Sequence, residues 1–109
     1  MKRLKKISAE VFEFVFGEMQ KIFSGEIIFV AQDGHLMQVE ITNRKRLADW
    51  FEKIPAFSEE TRENLKKQIS KEFSTLLYGR LVIKIQKGKV LQIERTVQSR
   101  FTGLDGEGI

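Results

Sequence analysis

Apolar residues recur every three or four positions along two segments of this chain, and every second position along the segments that follow. That change of period predicts its elements. Val11, Val15, Met19, Ile22 and Phe23 line one face of a helix, as do Leu65, Ile69, Phe73, Leu76 and Leu77. Ser8 and Ser58 stand where an N-cap side chain would accept from the first free N–H groups, with Glu10, and Glu59 and Glu60, at the positive end of each dipole. Each helix is expected to run to just before Gly25 or Gly79, where glycine can cap it. Beyond the glycines, Ile27, Phe29, Ala31, Met37 and Val39 alternate with polar or smaller residues, and so do Leu81, Ile83, Ile85, Leu91 and Ile93. This is strand periodicity.

The two halves match in more than pattern. GEIIFVAQDGHLMQVEITNRKR (Gly25 to Arg46) aligns without a gap on GRLVIKIQKGKVLQIERTVQSR (Gly79 to Arg100) at a constant offset of 54. Gly25/Gly79, Gln32/Gln86, Gly34/Gly88, Gln38/Gln92, Glu40/Glu94, Thr42/Thr96 and Arg46/Arg100 are identical. The helical positions share that offset, so the chain reads as a tandem duplication of a helix-strand-strand unit, 8–46 and 58–101, joined by 47–57 and followed by a flexible tail, 102–109. A two-residue turn at Asp33-Gly34 or Lys87-Gly88 would set Ile83 against Gln92 and mix the faces of the hairpin. A three-residue loop, Gln32 to Gly34 and Gln86 to Gly88, pairs Ile83 with Leu91 and Leu81 with Ile93 and is the expected geometry. In the connecting segment, Leu47, Trp50, Phe51 and Ile54 are spaced for one side of a short helix that Pro55 ends. They are expected to pack on the common core; an exposed Trp-Phe anchor is the alternative.

The stretch LLYGRLVIKIQKGKVLQIERTVQSRF, Leu76 to Phe101, resembles the YezD-like family of short bacterial proteins. Tyr78, Gly79, Val82, Ile83, Ile85, Gly88, Lys89, Val90, Gln92, Ile93, Glu94, Thr96 and Arg100 carry the resemblance. The first half keeps Gly25, Gly34, Gln38, Glu40, Thr42 and Arg46 of that pattern, with Ser24 in place of the tyrosine and His35 in place of a lysine. The resemblance implies one helix-strand-strand unit per family member, here fused as a pair. It implies no activity.

One helix over one hairpin is too small to be stable alone. The expected fold is therefore α+β: the hairpins merge into a four-stranded antiparallel sheet with two main helices on one face and a short linker helix, making residues 1–109 a single pseudo-twofold domain. Hairpins packed face to face are the alternative. In the merged sheet the uncovered face carries Ile28, Val30, Leu36, Gln38, Glu40 and Thr42 from the first unit. From the second it carries Val82, Lys84, Val90, Gln92, Glu94 and Thr96. Its aliphatic residues mark it as the candidate partner-binding face, with a second copy of the chain as the simplest partner and another protein as the alternative.

Composition narrows the function classes. The 109 residues, 41% hydrophobic and 31% charged, suit an ordered protein, and the absence of Cys excludes disulfides and thiolate chemistry. No apolar run approaches the ~18 residues of a membrane span, and MKRLKKISAE has no signal-peptide pattern, so a cytoplasmic location with no membrane partner is expected. The net charge of +4 is uneven: Arg62 to Arg100 holds ten basic residues against three acidic, and Ser8 to Arg46 four against six. With Lys2, Arg3, Lys5 and Lys6 in a basic N-terminal arm, nucleic acid becomes the rival partner, contacted by Lys84, Lys87, Lys89, Arg95 and Arg100. The sheet face, however, offers no aromatic for base stacking. His35, the only histidine, sits at a turn and is replaced by Lys89 in the second half. Glu26 and Glu40 are expected opposite each other, yet the second half has Arg80 at the Glu26 position. With no nucleophile elbow, Walker loop, dinucleotide fingerprint or zinc spacing, no catalytic residue, metal or cofactor is expected, and the chain reads as a binding module.

Overall fold

A computed structural model describes residues 7–98 of the chain. Both serines cap as their positions suggest: Ser8 Oγ accepts from the Val11 N–H at 3.2 Å and Ser58 Oγ from the Thr61 N–H at 3.1 Å. They open α1 (Ala9–Met19) and α2 (Glu59–Ser74). Phe12, Val15, Phe16 and Met19 on α1, and Leu65, Ile69 and Phe73 on α2, form the buried stripes. After each helix comes a hairpin: β1 (Ser24–Gln32) with β2 (His35–Arg44), and β3 (Gly79–Gln86) with β4 (Lys89–Val97). The strands form one antiparallel sheet in the order β2-β1-β3-β4, so the fold is α+β with merged hairpins rather than hairpins face to face.

The core lies between the sheet and the helices. Ile27, Phe29, Ala31, Leu81, Ile83 and Ile85 point from the two central strands onto the helical stripes, with Phe29 meeting Phe73 edge to face at 6.3 Å. Burying each large side chain contributes roughly 1.5–3 kcal/mol. At the centre, Ile28 pairs with Val82, the residue 54 positions later, so the local twofold relating the inner strands passes between these two. The hairpin tips lock onto the opposite half: the Gly34 N–H donates to the Leu77 carbonyl and the Gly88 N–H to the Phe23 carbonyl, both at 3.0 Å.

Several local expectations are corrected. Helices α1 and α2 stop at Met19 and Ser74, well before Gly25 and Gly79, which lie inside strands. Ile22 and Leu76 remain buried from the turns that follow, while Leu77 is exposed. These glycines answer to close backbone approach, not to helix capping: a Cβ at Gly25 would lie 1.9 Å from the Thr42 carbonyl oxygen, and one at Gly79 2.1 Å from that of Thr96.

The turns are also shorter than expected. Gln32 pairs with His35 and Gln86 with Lys89, leaving two-residue turns in which Asp33 and Gly34 have φ 57° and 74°, and Lys87 and Gly88 φ 53° and 74°. Positive φ at both positions is the turn whose twist matches a hairpin. The mixing of faces is avoided by a β-bulge: Met37 is the extra residue between the Val30–Gln38 and Ala31–Leu36 pairs, and Leu91 its counterpart in β4. Ile83 therefore faces Ile93, and Leu81 faces Arg95. Between bulge and turn the side-chain alternation is inverted, so Leu36 and Val90 pack against the helix-side core and not on the open face.

The linker departs furthest. Its helix is a single 3-10 turn at Leu47–Asp49, and Leu47, Trp50 and Phe51 are 87%, 58% and 92% exposed. α1 and α2 already close the core, so Leu47, Trp50 and Phe51 find no apolar surface left to cover. Only its end is fixed: Gln20 Oε1 accepts from the Phe57 N–H at 2.9 Å, and Phe57 and Ile54 are partly buried. The basic N-terminal arm, Arg100 and the tail 102–109 lie outside the described residues. Among those described, no helix is long and apolar enough to cross a membrane.

Candidate binding face

The uncovered face is built by the even-numbered residues of the inner strands and, past the bulges, of the outer ones. Helices cover only the odd side, so nothing among the described residues lies over Ile28, Val30 and Val82, which sit partly exposed at its centre. With Leu36 and Val90 turned away, these three are the aliphatic members of the face. Around them stand Gln38, Glu40 and Thr42 on β2 and Gln92, Glu94 and Thr96 on β4, matched pair by pair at the offset of 54.

The polar residues are organised by ion pairs. Gln38 Nε2 donates to Glu40 Oε2 at 2.7 Å, and Gln92 Nε2 donates to Glu94 in the same way. Arg80 reaches from β3 across β1, placing one guanidinium nitrogen 3.0 Å from both carboxylate oxygens of Glu40. Lys84 pairs with Glu94 at 3.2 Å and Arg44 with Glu26 at 3.2 Å. Each exposed pair contributes at most about 1 kcal/mol to folding. Their larger effect is electrical: the cations and carboxylates of the face neutralise one another in place. Glu26 pairs across the strands with Thr42, not with Glu40, so the imagined carboxylate pair does not form. Among the described residues no cluster of His, Asp or Glu could hold a metal ion.

The candidate nucleic-acid residues do not form one surface. Lys84 is paired on the sheet face. Arg95 lies on the helix side and caps α2: its Nη1 donates to Thr75 Oγ1 at 2.6 Å and to the Glu72 carbonyl at 3.1 Å, and its Nη2 to the Thr75 carbonyl at 3.1 Å. Lys87 lies in the second turn and Lys89 directly follows it, facing different hollows, and Arg100 is outside the described residues. His35 starts β2 beside the first turn.

A grouping that the sequence reading missed lies at one end of the sheet. There Arg44, Lys45 and Arg46, at the end of β2 and just beyond it, meet Lys84 and Lys87 of the second hairpin around a groove of about 530 Å³, with Glu26 and Asp49 as its acidic lining. Lys45 Nζ sits 5.4 Å from the centre of the Trp50 ring. The run Arg44-Lys45-Arg46 close before Trp50 was the available signal.

No curated protein and no solved structure matches this chain. Residues 65–101, most of α2 together with β3 and β4, match a family described as "Uncharacterized small protein (DUF2292)". The match spans about a third of the chain and covers one helix-strand-strand unit, so the second half is similar to that family.

Proposed function

We propose that this chain is a non-enzymatic binding module that pairs with a second copy of itself through the open sheet face. The observation that carries the reading is the composition of that face: an aliphatic centre on the local twofold, ringed by charges already matched within the face. Such a surface can lose water without stranding an unpaired charge, whereas a buried unpaired charge costs several kcal/mol. Its outer strands repeat one another about Ile28–Val82, and a two-fold dimer forms where one patch meets its own copy.

The same reasoning accounts for the two halves. A lone helix-strand-strand unit leaves the inner edge of its first strand unpaired and its helix without a second stripe, so a protein with one unit completes the sheet only by association. We read this chain as two YezD-like units joined by duplication, with the inner association made permanent and the outer face left for a further copy. The offset of 54 shared by Gln38/Gln92, Glu40/Glu94 and Thr42/Thr96 supports that reading.

Light scattering across a concentration series tests it. Twice the chain mass of 12.7 kDa is expected. Val30→Lys should return the protein to monomer with its circular dichroism unchanged, because Lys84 already occupies the equivalent place on β3. A wild type that stays monomeric at high concentration overturns the proposal.

A further inference from the structure

The geometry points to a second binding site, distinct from the sheet centre: the groove at the end of the sheet takes single-stranded nucleic acid, with its phosphates among Lys45, Arg46 and Lys87 and a base on Trp50. Lys45, Arg46 and Lys87 have no carboxylate within ion-pairing distance among the described residues, unlike Arg44 and Lys84, which Glu26 and Glu94 hold. Asp49 is the one lining carboxylate with no cation on it, so the groove keeps a positive excess. Beside it, Trp50 and Phe51 stand out from the 3-10 turn, and the Lys45 ammonium lies over the Trp50 ring. A cationic groove alongside an exposed ring is the combination that binds single strands without sequence preference.

Lys87 adds an independent sign. It holds φ 53°, a left-handed conformation that favours Gly or Asn, yet a long cation stands there and lines the groove. The related end of the sheet has Asp33 in that place, bonded to the Tyr78 hydroxyl at 2.9 Å. Among the described residues the basic groove thus belongs to one end only. A flat anionic bilayer fits less well, because cations lining a concave groove reach a strand laid along it more readily than a planar surface.

Trp50 is the only tryptophan, so its fluorescence reports this site alone. Titrating the full chain with an oligothymidylate of about 12 nucleotides at low salt should quench it. With three phosphates neutralised, affinity should fall about 20-fold between about 50 and 200 mM salt. Lys87→Asn suits the turn and removes the cation, and should weaken binding about tenfold while leaving thermal stability no lower; Lys45→Glu with Arg46→Glu should abolish it. No quenching at low salt, quenching that ignores these substitutions, or a blue shift with phosphatidylglycerol vesicles but not with the oligonucleotide would each overturn the proposal. Val30→Lys keeps this binding, so loss of the dimer and loss of the groove are read separately.

Discussion

Two glycines and two threonines show how far a single residue can constrain this fold. The Thr42 and Thr96 carbonyls pass so close to Gly25 and Gly79 that any side chain there must push the strands apart. Gly25→Ala is expected to destabilise by about 1–3 kcal/mol, as overpacking does; urea denaturation measures it. Arg95 makes the opposite kind of contribution, closing the last turn of α2 with three hydrogen bonds and a 3.5 Å pairing to the Glu72 carboxylate. Arg95→Met keeps the length of the side chain and leaves the carbonyls of Glu72 and Thr75 to water. A loss of about 1–2 kcal/mol is expected in the same assay. At Lys87 the sign reverses: Lys87→Asn relieves a left-handed lysine and should raise stability by up to about 1 kcal/mol. Sequence could not separate these roles. Gly25 and Gly79 stand where helical spacing gives way to alternation, a place that equally suits a helix cap, and only the placement of the partner strand shows what they must avoid.

At the scale of elements, periodicity proved informative about faces and silent about turns. Alternation identifies which residues share a side of a strand, but it fixes the hairpin register only up to steps that preserve that alternation. A three-residue loop and a two-residue turn with a bulged residue both keep Ile83 opposite an apolar partner, Leu91 in one case and Ile93 in the other. The cost of choosing wrongly falls on the short segment between bulge and turn, which is where Leu36 and Val90 changed sides. Deleting Leu91 tests the device directly. With the extra residue gone, Ile85–Val90 and Lys84–Gln92 become consecutive pairs, so Ile93 stays opposite Ile83 and cooperative unfolding is expected to persist by calorimetry. The linker teaches a different limit. Leu47, Trp50, Phe51 and Ile54 have helical spacing, but spacing predicts burial only where an apolar surface remains to be covered. Here both helices already occupy the sheet.

Seen whole, the molecule is two halves that depend on each other. β1 pairs with β3 through eight residue pairs from Ser24–Gln86 to Ala31–Gly79, and each hairpin tip is tied to the other half. A polypeptide of residues 55–109 alone is therefore expected to be unfolded when dilute and to dimerise through β3 when concentrated; sedimentation with circular dichroism checks both. The helix-strand-strand order and the open face could be read from the repeat. The basic groove could not, because residues from the end of β2, the linker and the second turn meet only once the sheet has closed.

The central position of β1 also bears on how the protein is made. While the chain emerges from a ribosome, the inner edge of β1 has no partner until Gly79–Gln86 has followed, some 54 residues later. Through that interval an unfinished first half carries an open strand whose best match is a β3 from any neighbouring chain that has been completed. Crowded synthesis should thus yield exchanged dimers in which each β1 pairs with the β3 of another polypeptide. The product of dilute refolding and that of rapid expression would then differ in connectivity while sharing every contact described above.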